Sequence, residues 1–463
     1  MKALITPLAL LLLAGPAFAQ STDTDKRIAD LEKKVAKLSA PKAEKASKGE
    51  AKDDADDMSG FSYKMDGRVF LDGTWFSGSN NSLGGGTSLR AIRLGWKLTM
   101  GPLWYGEAEL EFSGGSIGMK DMFLEYGGLK NQKIQIGHVK MPQGMDTLMS
   151  NVNIWVMDRS FTDLWNPSRH VGVYYTAFSD QLYFKGGVAG QSLDATNDNI
   201  ATASDTGYKL IDNGGFAVAA RFAALPYLKD DTHLVHLAVS VSQRTPDANA
   251  PRTYSYDLSG RPSVGKINGA KFLNASVTNV KNFTLTGLEF AGQWKAFSWQ
   301  SEYQQAKIAR RDVQTQIWDA TNLKLIPTTA AQQAASTQDH TFSTYYGQVS
   351  YVIGGQREYR GGDSFYFKGV TPSSKAGAYE LVARYEVGTQ DDLTAIDPVK
   401  GGIEKITTVG LNYYARKNLR FMLNYGWVKN NENALCSKGF SPTGAKIPDP
   451  SFNTICTRVA YNF

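Results

Sequence analysis

The chain has 463 residues, of which 42% are hydrophobic and 20% charged, with a formal net charge of +6 and a mean hydropathy of −0.32. Residues 1–58 carry 10 basic and 10 acidic side chains, so the whole excess belongs to residues 59–463, where it is too weak to define a partner by itself. Five histidines and two cysteines without metal-ligand spacing, and no GxxxxGK[ST] or nucleic-acid module, exclude a bound metal, a nucleotide-type cofactor and a nucleic-acid partner as working assumptions.

Residues 1–19 read as a signal peptide. Lys2 supplies the positive start, Leu8 to Leu13 are apolar, and Ala17-Phe18-Ala19 is a small-x-small cleavage site, so the mature chain begins at Gln20. The apolar run is too short for a hydrocarbon core of ~30 Å. No later segment offers 18 consecutive apolar residues, so any membrane span must be made of strands.

Residues 20–38 contain Ile28, Leu31, Val35 and Leu38 at steps of three and four among charged neighbours, a short coiled-coil stripe. Fewer than two heptads are marginal alone, so this helix either has identical neighbours at high local concentration or no stability at all. Residues 39–60 are a charged, flexible linker of low hydrophobicity.

From Phe61 to Phe463 the period changes to two. Trp104, Ala108, Leu110 and Phe112 share one face while Tyr105, Glu107, Glu109 and Glu111 share the other; residues 418–427 and 455–463 repeat the pattern. Sixteen such segments lie near 61–76, 88–99, 103–113, 118–127, 131–138, 169–178, 181–190, 215–224, 231–243, 282–294, 296–307, 341–353, 376–388, 403–415, 418–429 and 453–463. Their connections alternate long and short, except that 114–117 is short on the long side and 354–375 long on the short side. Aromatics gather near the segment ends (Trp75, Trp96, Trp104, Tyr126, Trp427, Tyr461), as membrane girdles require. The expected fold is all-β: an antiparallel transmembrane barrel in the outer membrane of a Gram-negative bacterium. Cys436 and Cys456 enclose a polar stretch of loop composition, and a disulfide closing it suits an exported protein.

Particular residues resemble the phosphate-selective porin O and P family: DGRVFLDGTWF (66–76), LRAIRLGWKL (89–98), IQIGHVKMPQG with MDRSF (134–144, 157–161), REYRGGDSFYFKGVTPSSKAGAYELVARY (357–385) and the terminal RVAYNF. The resemblance implies a sixteen-stranded, homotrimeric barrel in outer-membrane lipid, passing small anionic or polar solutes. Its third loop (139–168) would fold inward as an arginine-lined constriction, and the N-terminal coiled coil would project into the periplasm. It also implies an anion site made by paired arginines on the second strand and one in the third loop. Arg90 matches the first of the pair and Arg159 the loop residue; the second of the pair is Ala91, with Arg93 in place of a family aromatic, and a frequent loop lysine is Thr147. Asp121 matches an acid that could hold a constriction arginine.

Strand parity adds candidates. Ile92, Leu94, Trp96 and Leu98 must face lipid, so Arg93 and Lys97 point inward, and Arg169 follows the third loop. Lys185, Arg221, Arg384, Arg420 and Arg458 have inward parity as well. Against a purely cationic lumen stand Glu107, Glu109, Glu111, Asp121, Glu125, Glu289, Glu302, Glu380 and Glu386 on the same face. A general or sugar-type channel is the alternative within transport, with Tyr105, Phe123, Tyr174 and Tyr183 inward. An enzyme is disfavoured because no histidine has a nearby nucleophile and orienting acid, and a structural or adhesive barrel is a further alternative. If the barrel is complete from Phe61 onward, deleting residues 20–58 leaves a heat-modifiable trimer on semi-native gels; loss of that species would overturn the division.

Overall fold

A computed structural model describes residues 60–78, 83–113, 117–190, 192, 215–245, 255–259, 272–278, 280–311, 316–319, 324–434 and 451–463. The signal peptide, the coiled-coil segment, nearly all of the linker and Cys436 lie outside the described residues. The chain opens with β1 (Phe61–Ser77), β2 (Gly86–Met100), β3 (Trp104–Glu111), β4 (Gly118–Leu129) and β5 (Gln132–Lys140). After residues 141–168 come β6 (Arg169–Phe178), β7 (Leu182–Ala189), β8 (Phe216–Asp230) and β9 (His233–Thr245). A small pair, β10 (Ser255–Ser259) and β11 (Asn274–Thr278), precedes β12 (Val280–Trp294) and β13 (Phe297–Arg310). A second pair, β14 (Gln316–Asp319) and β15 (Lys324–Pro327), precedes β16 (His340–Ile353), and a third, β17 (Gly355–Arg360) and β18 (Tyr366–Pro372), follows it. The chain finishes with β19 (Ala378–Asp392), β20 (Val399–Arg416), β21 (Leu419–Asn430) and β22 (Phe452–Asn462).

Sixteen of these strands, all but the three small pairs, form one closed antiparallel barrel in chain order, with β22 returning to β1. The period-two pattern dictates which side each residue takes. On β21 and β22, Leu419, Phe421 and Leu423 stand beside Tyr461, Val459 and Thr457 on the outer wall, while Arg420, Met422 and Asn424 stand beside Ala460, Arg458 and Cys456 inside. Leu423, Phe421, Val459 and Tyr461 are exposed, whereas Arg420, Arg458 and Asn424 are buried. That inverts a water-soluble sheet and is what a bilayer demands, since exposed apolar side chains are stable only against hydrocarbon. Aromatic pairs mark both rims: Trp104–Tyr126 (4.9 Å between ring centres) and Tyr379–Tyr413 (4.9 Å) at the end with short turns, and Tyr425–Trp427 (4.7 Å) at the end with long loops.

Each of the sixteen expected segments is a barrel strand, but three boundaries move for identifiable reasons. β8 continues to Asp230 instead of ending near 224, because the ladder with β9 shifts register between Ala224 and Tyr227 and then resumes. Pro226, which has no N–H to donate, sits in that bulge. β19 and β20 are both longer than expected, shrinking their loop to 393–398. Gly401-Gly402 looks like loop composition, yet Gly402 adopts φ +95° and donates its N–H to Asp391 Oδ1 at 2.7 Å, forming a bulge within the hairpin.

The seam closes tightly. Gly67 N–H donates to the Phe463 carbonyl at 3.1 Å and Phe463 N–H returns to Gly67 at 3.0 Å. A Cβ on Gly67 would lie 2.4 Å from Phe463 Cζ and 2.7 Å from the Arg93 carbonyl. Gly67→Val therefore overpacks the seam, at a cost of about 1–3 kcal/mol. Its heat-modifiable band should unfold at a lower temperature than wild type; an unchanged melting temperature would show that the seam has slack.

Candidate functional site

Between β5 and β6 the chain makes two short helical turns, Met145–Leu148 and Thr162–Trp165. Its own side chains staple these together. Asp146 Oδ2 accepts the Ser160 N–H (2.8 Å) and hydroxyl (3.0 Å), Thr147 donates to Asp163 (2.7 Å), and Asn166 donates to Thr147 Oγ1 (2.6 Å). The Lys140 ammonium caps the carbonyls of Thr147 (2.5 Å) and Met149 (3.0 Å), where the end of a helical turn concentrates negative charge. Thus Thr147, the position matched to a family lysine, is a buried loop-pinning hydroxyl.

The segment is also bonded to inward side chains on the strands furthest from its own. Glu302 of β13 accepts the Asp146 N–H (2.7 Å), Glu386 of β19 accepts the Phe161 N–H (2.9 Å), and Asn424 of β21 accepts the Met157 N–H (2.7 Å). Arg384, Arg420 and Arg458 donate to the carbonyls of Asp158, Ile154 and Met157, each at 2.7 Å. These contacts answer the puzzle of the inward acids. Glu302 and Glu386 serve as acceptors for loop amides that would otherwise be orphaned away from water.

The connection that broke the loop alternation enters the same space from the opposite end. β17 and β18 pair as a hairpin, and Phe365 between them packs on Tyr183 (5.5 Å between rings) and offers its carbonyl to Arg221 (3.0 Å). Arg357 pairs with Glu380 and lies over Trp155 at 4.4 Å; Trp155 in turn meets Phe367 edge-on at 5.4 Å. Trp155, Phe367, Met145, Met149 and Ile154 form one buried cluster. Sequence reasoning treated residues 354–375 as a connection only. The missed signal was the aromatic load of Tyr359, Phe365, Tyr366 and Phe367, more than a hydrated turn would carry.

The candidate residues are held in different ways. Arg93 is held by Glu111 (2.6 Å) and Glu109 (3.0 Å), Arg68 shares Glu109 (2.6 Å), and Arg169 is held by Asp121 (2.5 Å), making one continuous charge network on the β1–β6 wall. Asp121 shares a bulge with Lys120, since the β3–β4 register shifts there and leaves both residues opposite Glu109. Arg221 is completely buried and bidentate on Glu289 at 2.8 and 2.7 Å, and its bond to the Phe365 carbonyl tethers the wall to the hairpin. Lys97 reaches Asp66 (2.5 Å) near the short-turn end, with two-fifths of its side chain exposed.

Arg159 folds back on its own loop, donating to the Met149 carbonyl (2.5 Å) and Asn151 (2.6 Å), with Asp163 at 3.7 Å. Arg90 differs from all of these: half-buried, it has no hydrogen bond or ion pair to its guanidinium among the described residues. Its electrostatic neighbours are Arg458, Asp158, Asp72 and Arg93. Burial pushes the Asp158 carboxyl above its ordinary range, against the opposing pull of Arg90. Arg420 also lacks a carboxylate partner, and its Nε and Nη2 are buried without an acceptor. Cys456 faces inward from β22, beside Met157 and Met422, and Cys436, its expected disulfide partner, lies outside the described residues.

The family model for phosphate-selective porin O and P matches residues 63–463, nearly the whole described barrel. The chain belongs to that family. An uncharacterised protein of Caulobacter vibrioides is 27% identical over 413 residues, covering 85% of this chain and 74% of its own length. Among solved structures, the anion-selective porin from Comamonas acidovorans is similar at 11% identity, with a TM-score of 0.48, covering 87% of this chain and all of that one. The outer-membrane channel DcaP of Acinetobacter baumannii is similar at 12% identity, with a TM-score of 0.46, covering 88% and 98%. The protein is thus an outer-membrane porin, a channel for small solutes rather than an enzyme.

The staple inside the porin's 141–168 segment gives a direct test. Asp146→Ala removes charge-assisted bonds to Ser160, each worth ~1.5–3 kcal/mol. Single-channel current through the variant should be larger and noisier, while the barrel's heat-modifiability stays as in wild type. A quiet, unaltered current would mean that the segment does not narrow the path.

Proposed function

We propose that the porin is an anion-preferring channel, with phosphate among its solutes, whose narrowest part is formed by residues 141–168 against the β1–β6 wall. Arg90 is the residue that gives this path its sign. The observation carrying the reading is the way charge is distributed. Arg93, Arg169, Arg221 and Arg458 are each held by a carboxylate, and Glu302 and Glu386 are turned onto loop amides, whereas the Arg90 guanidinium has no such partner among the described residues. In a narrow space of low effective dielectric a cation bonded to no carboxylate acts on a passing ion far more strongly than in bulk water, where two charges at 4 Å interact by ~1 kcal/mol. Arg159 contributes by holding the loop, Arg93 and Arg169 by keeping Glu109, Glu111 and Asp121 neutralised, and Lys97 by its exposed charge on the short-turn side. The long loops face outward, the short turns and the N-terminal segment face the periplasm, and the working unit is a homotrimer, the assembly that supplies neighbours for the coiled-coil stripe.

Reversal potentials in a salt gradient test the assignment. Arg90→Glu should move the channel from anion toward cation preference and abolish block of chloride current by phosphate. Arg93 is the wrong residue to reverse, because a glutamate there would face Glu109 and Glu111 and threaten the fold. A wild-type channel that already prefers cations would overturn the proposal.

Acidity offers an independent check. A carboxyl raised by burial takes up its proton at a higher pH than a free aspartate, and protonation removes the negative charge beside Arg90. Anion preference should therefore rise as pH falls from neutral toward the ordinary aspartate range. Asp158→Asn should show the high preference throughout, and a pH response identical in Asp158→Asn and wild type would remove Asp158 from the mechanism.

A further inference from the structure

On the outer wall, at the end carrying the long loops, Lys405 of β20 stands directly opposite Lys429 of β21. Both are exposed. Directly opposed residues of an antiparallel pair have Cβ atoms about 5 Å apart, and like charges so placed repel. No ion pair reaches either lysine among the described residues; Glu432, three positions beyond Lys429, forms none with it. The contrast is Lys307 on β13, also outward near the loop end, which has Asp339 at 3.0 Å.

The surroundings specify what would relieve this repulsion. One pleat nearer the belt, Thr407 opposes Trp427, and beyond them Val409, Leu411 and Leu423 are exposed and apolar. Trp427 packs edge-on against Tyr425 at 4.7 Å. Tryptophan at the rim of an apolar belt marks the headgroup level of a bilayer. The lysines emerge one step, roughly 7 Å, further out, at the depth of lipid phosphates.

Resting on the outer-membrane orientation given above, we propose that Lys405 and Lys429 form a clamp for a phosphate of a lipid headgroup in the leaflet at the loop end. One phosphate between two ammonium groups converts a repulsive cross-strand pair into two attractive ones, and Trp427 seats the apolar part of the same lipid. The two positive charges match the charge of a doubly ionised phosphate monoester, so the favoured occupant is a lipid bearing a phosphate monoester, for which a phosphorylated glycolipid serves as the probe, rather than a phosphodiester lipid.

The test uses the mature porin extracted in neutral detergent and native mass spectrometry. Three probes are compared: a diphosphorylated glycolipid, its dephosphorylated counterpart, and inorganic phosphate as competitor. Wild type should retain the diphosphorylated glycolipid, and Lys405→Ala with Lys429→Ala should weaken retention roughly thirtyfold, as two lysines near an anionic surface imply. Replacing both by arginine should restore it. In lipid-free detergent Lys405→Gln alone should raise the melting temperature, and with the glycolipid present it should lower it. Equal retention by wild type and the double alanine variant would overturn the clamp. So would equal retention of the dephosphorylated lipid, and displacement of the glycolipid by an equal concentration of inorganic phosphate would assign the lysines to a free anion instead. Reversal potential is measured on the same variant and should not change, so a failure of the lipid clamp is read separately from a failure of the channel assignment.

Discussion

Everything inside this molecule depends on one constraint: a sheet closed on itself in lipid must send its polar side chains inward. Period-two alternation exports the apolar residues to the wall and leaves arginines, lysines and carboxylates crowded in a shared interior. Charges in such a place are stable only when paired or hydrogen-bonded. The interior is therefore organised by neutralisation. Arg458 takes Asp72 with two bonds of 2.7 Å, Arg221 takes Glu289, and Arg93 shares two glutamates, before any property of a solute enters.

That organisation changes what an inward charge means. Counting acids and bases along the lumen face suggests a field of both signs, and the count is correct. The roles differ, however, because Glu302 and Glu386 are directed at backbone amides and are almost completely buried. An acid turned onto a loop amide has part of its charge satisfied there. The same reasoning moves Arg221 from solute contact to tether, and it is why the proposed function rests on Arg90, whose guanidinium has no carboxylate bonded to it among the described residues.

The barrel was legible because its signal is repeated sixteen times and depends only on alternation. The misjudged boundaries were those where Pro226 and Gly402 looked like loop residues but occupy bulges, which single-residue composition cannot distinguish from turns. Inward parity of Arg93, Lys97, Arg384, Arg420 and Arg458 was also readable. Their partners were not, since Arg93–Glu111 spans 18 positions and Arg458–Asp72 spans 386. The hairpin of β17 and β18 escaped for another reason: alternation describes strands in a wall, whereas this one packs on both faces against aromatics and has no lipid side to reveal it.

The seam between β1 and β22 has a consequence for how the molecule is made. Its ten described residue pairs join the two extremes of the barrel sequence, whereas every other neighbouring pair in the wall is local or separated by one connection. Contacts of such high sequence separation come late and slowly, because the chain must lose the most entropy before any of them forms. Until then the two end strands are edges with unsatisfied backbone groups, and Asp72 and Arg458 sit on opposite edges without each other. Ring closure is thus an all-or-none event that completes the hydrogen bonding of the wall and neutralises part of its interior together, so a half-closed barrel has no sheltered place in the bilayer.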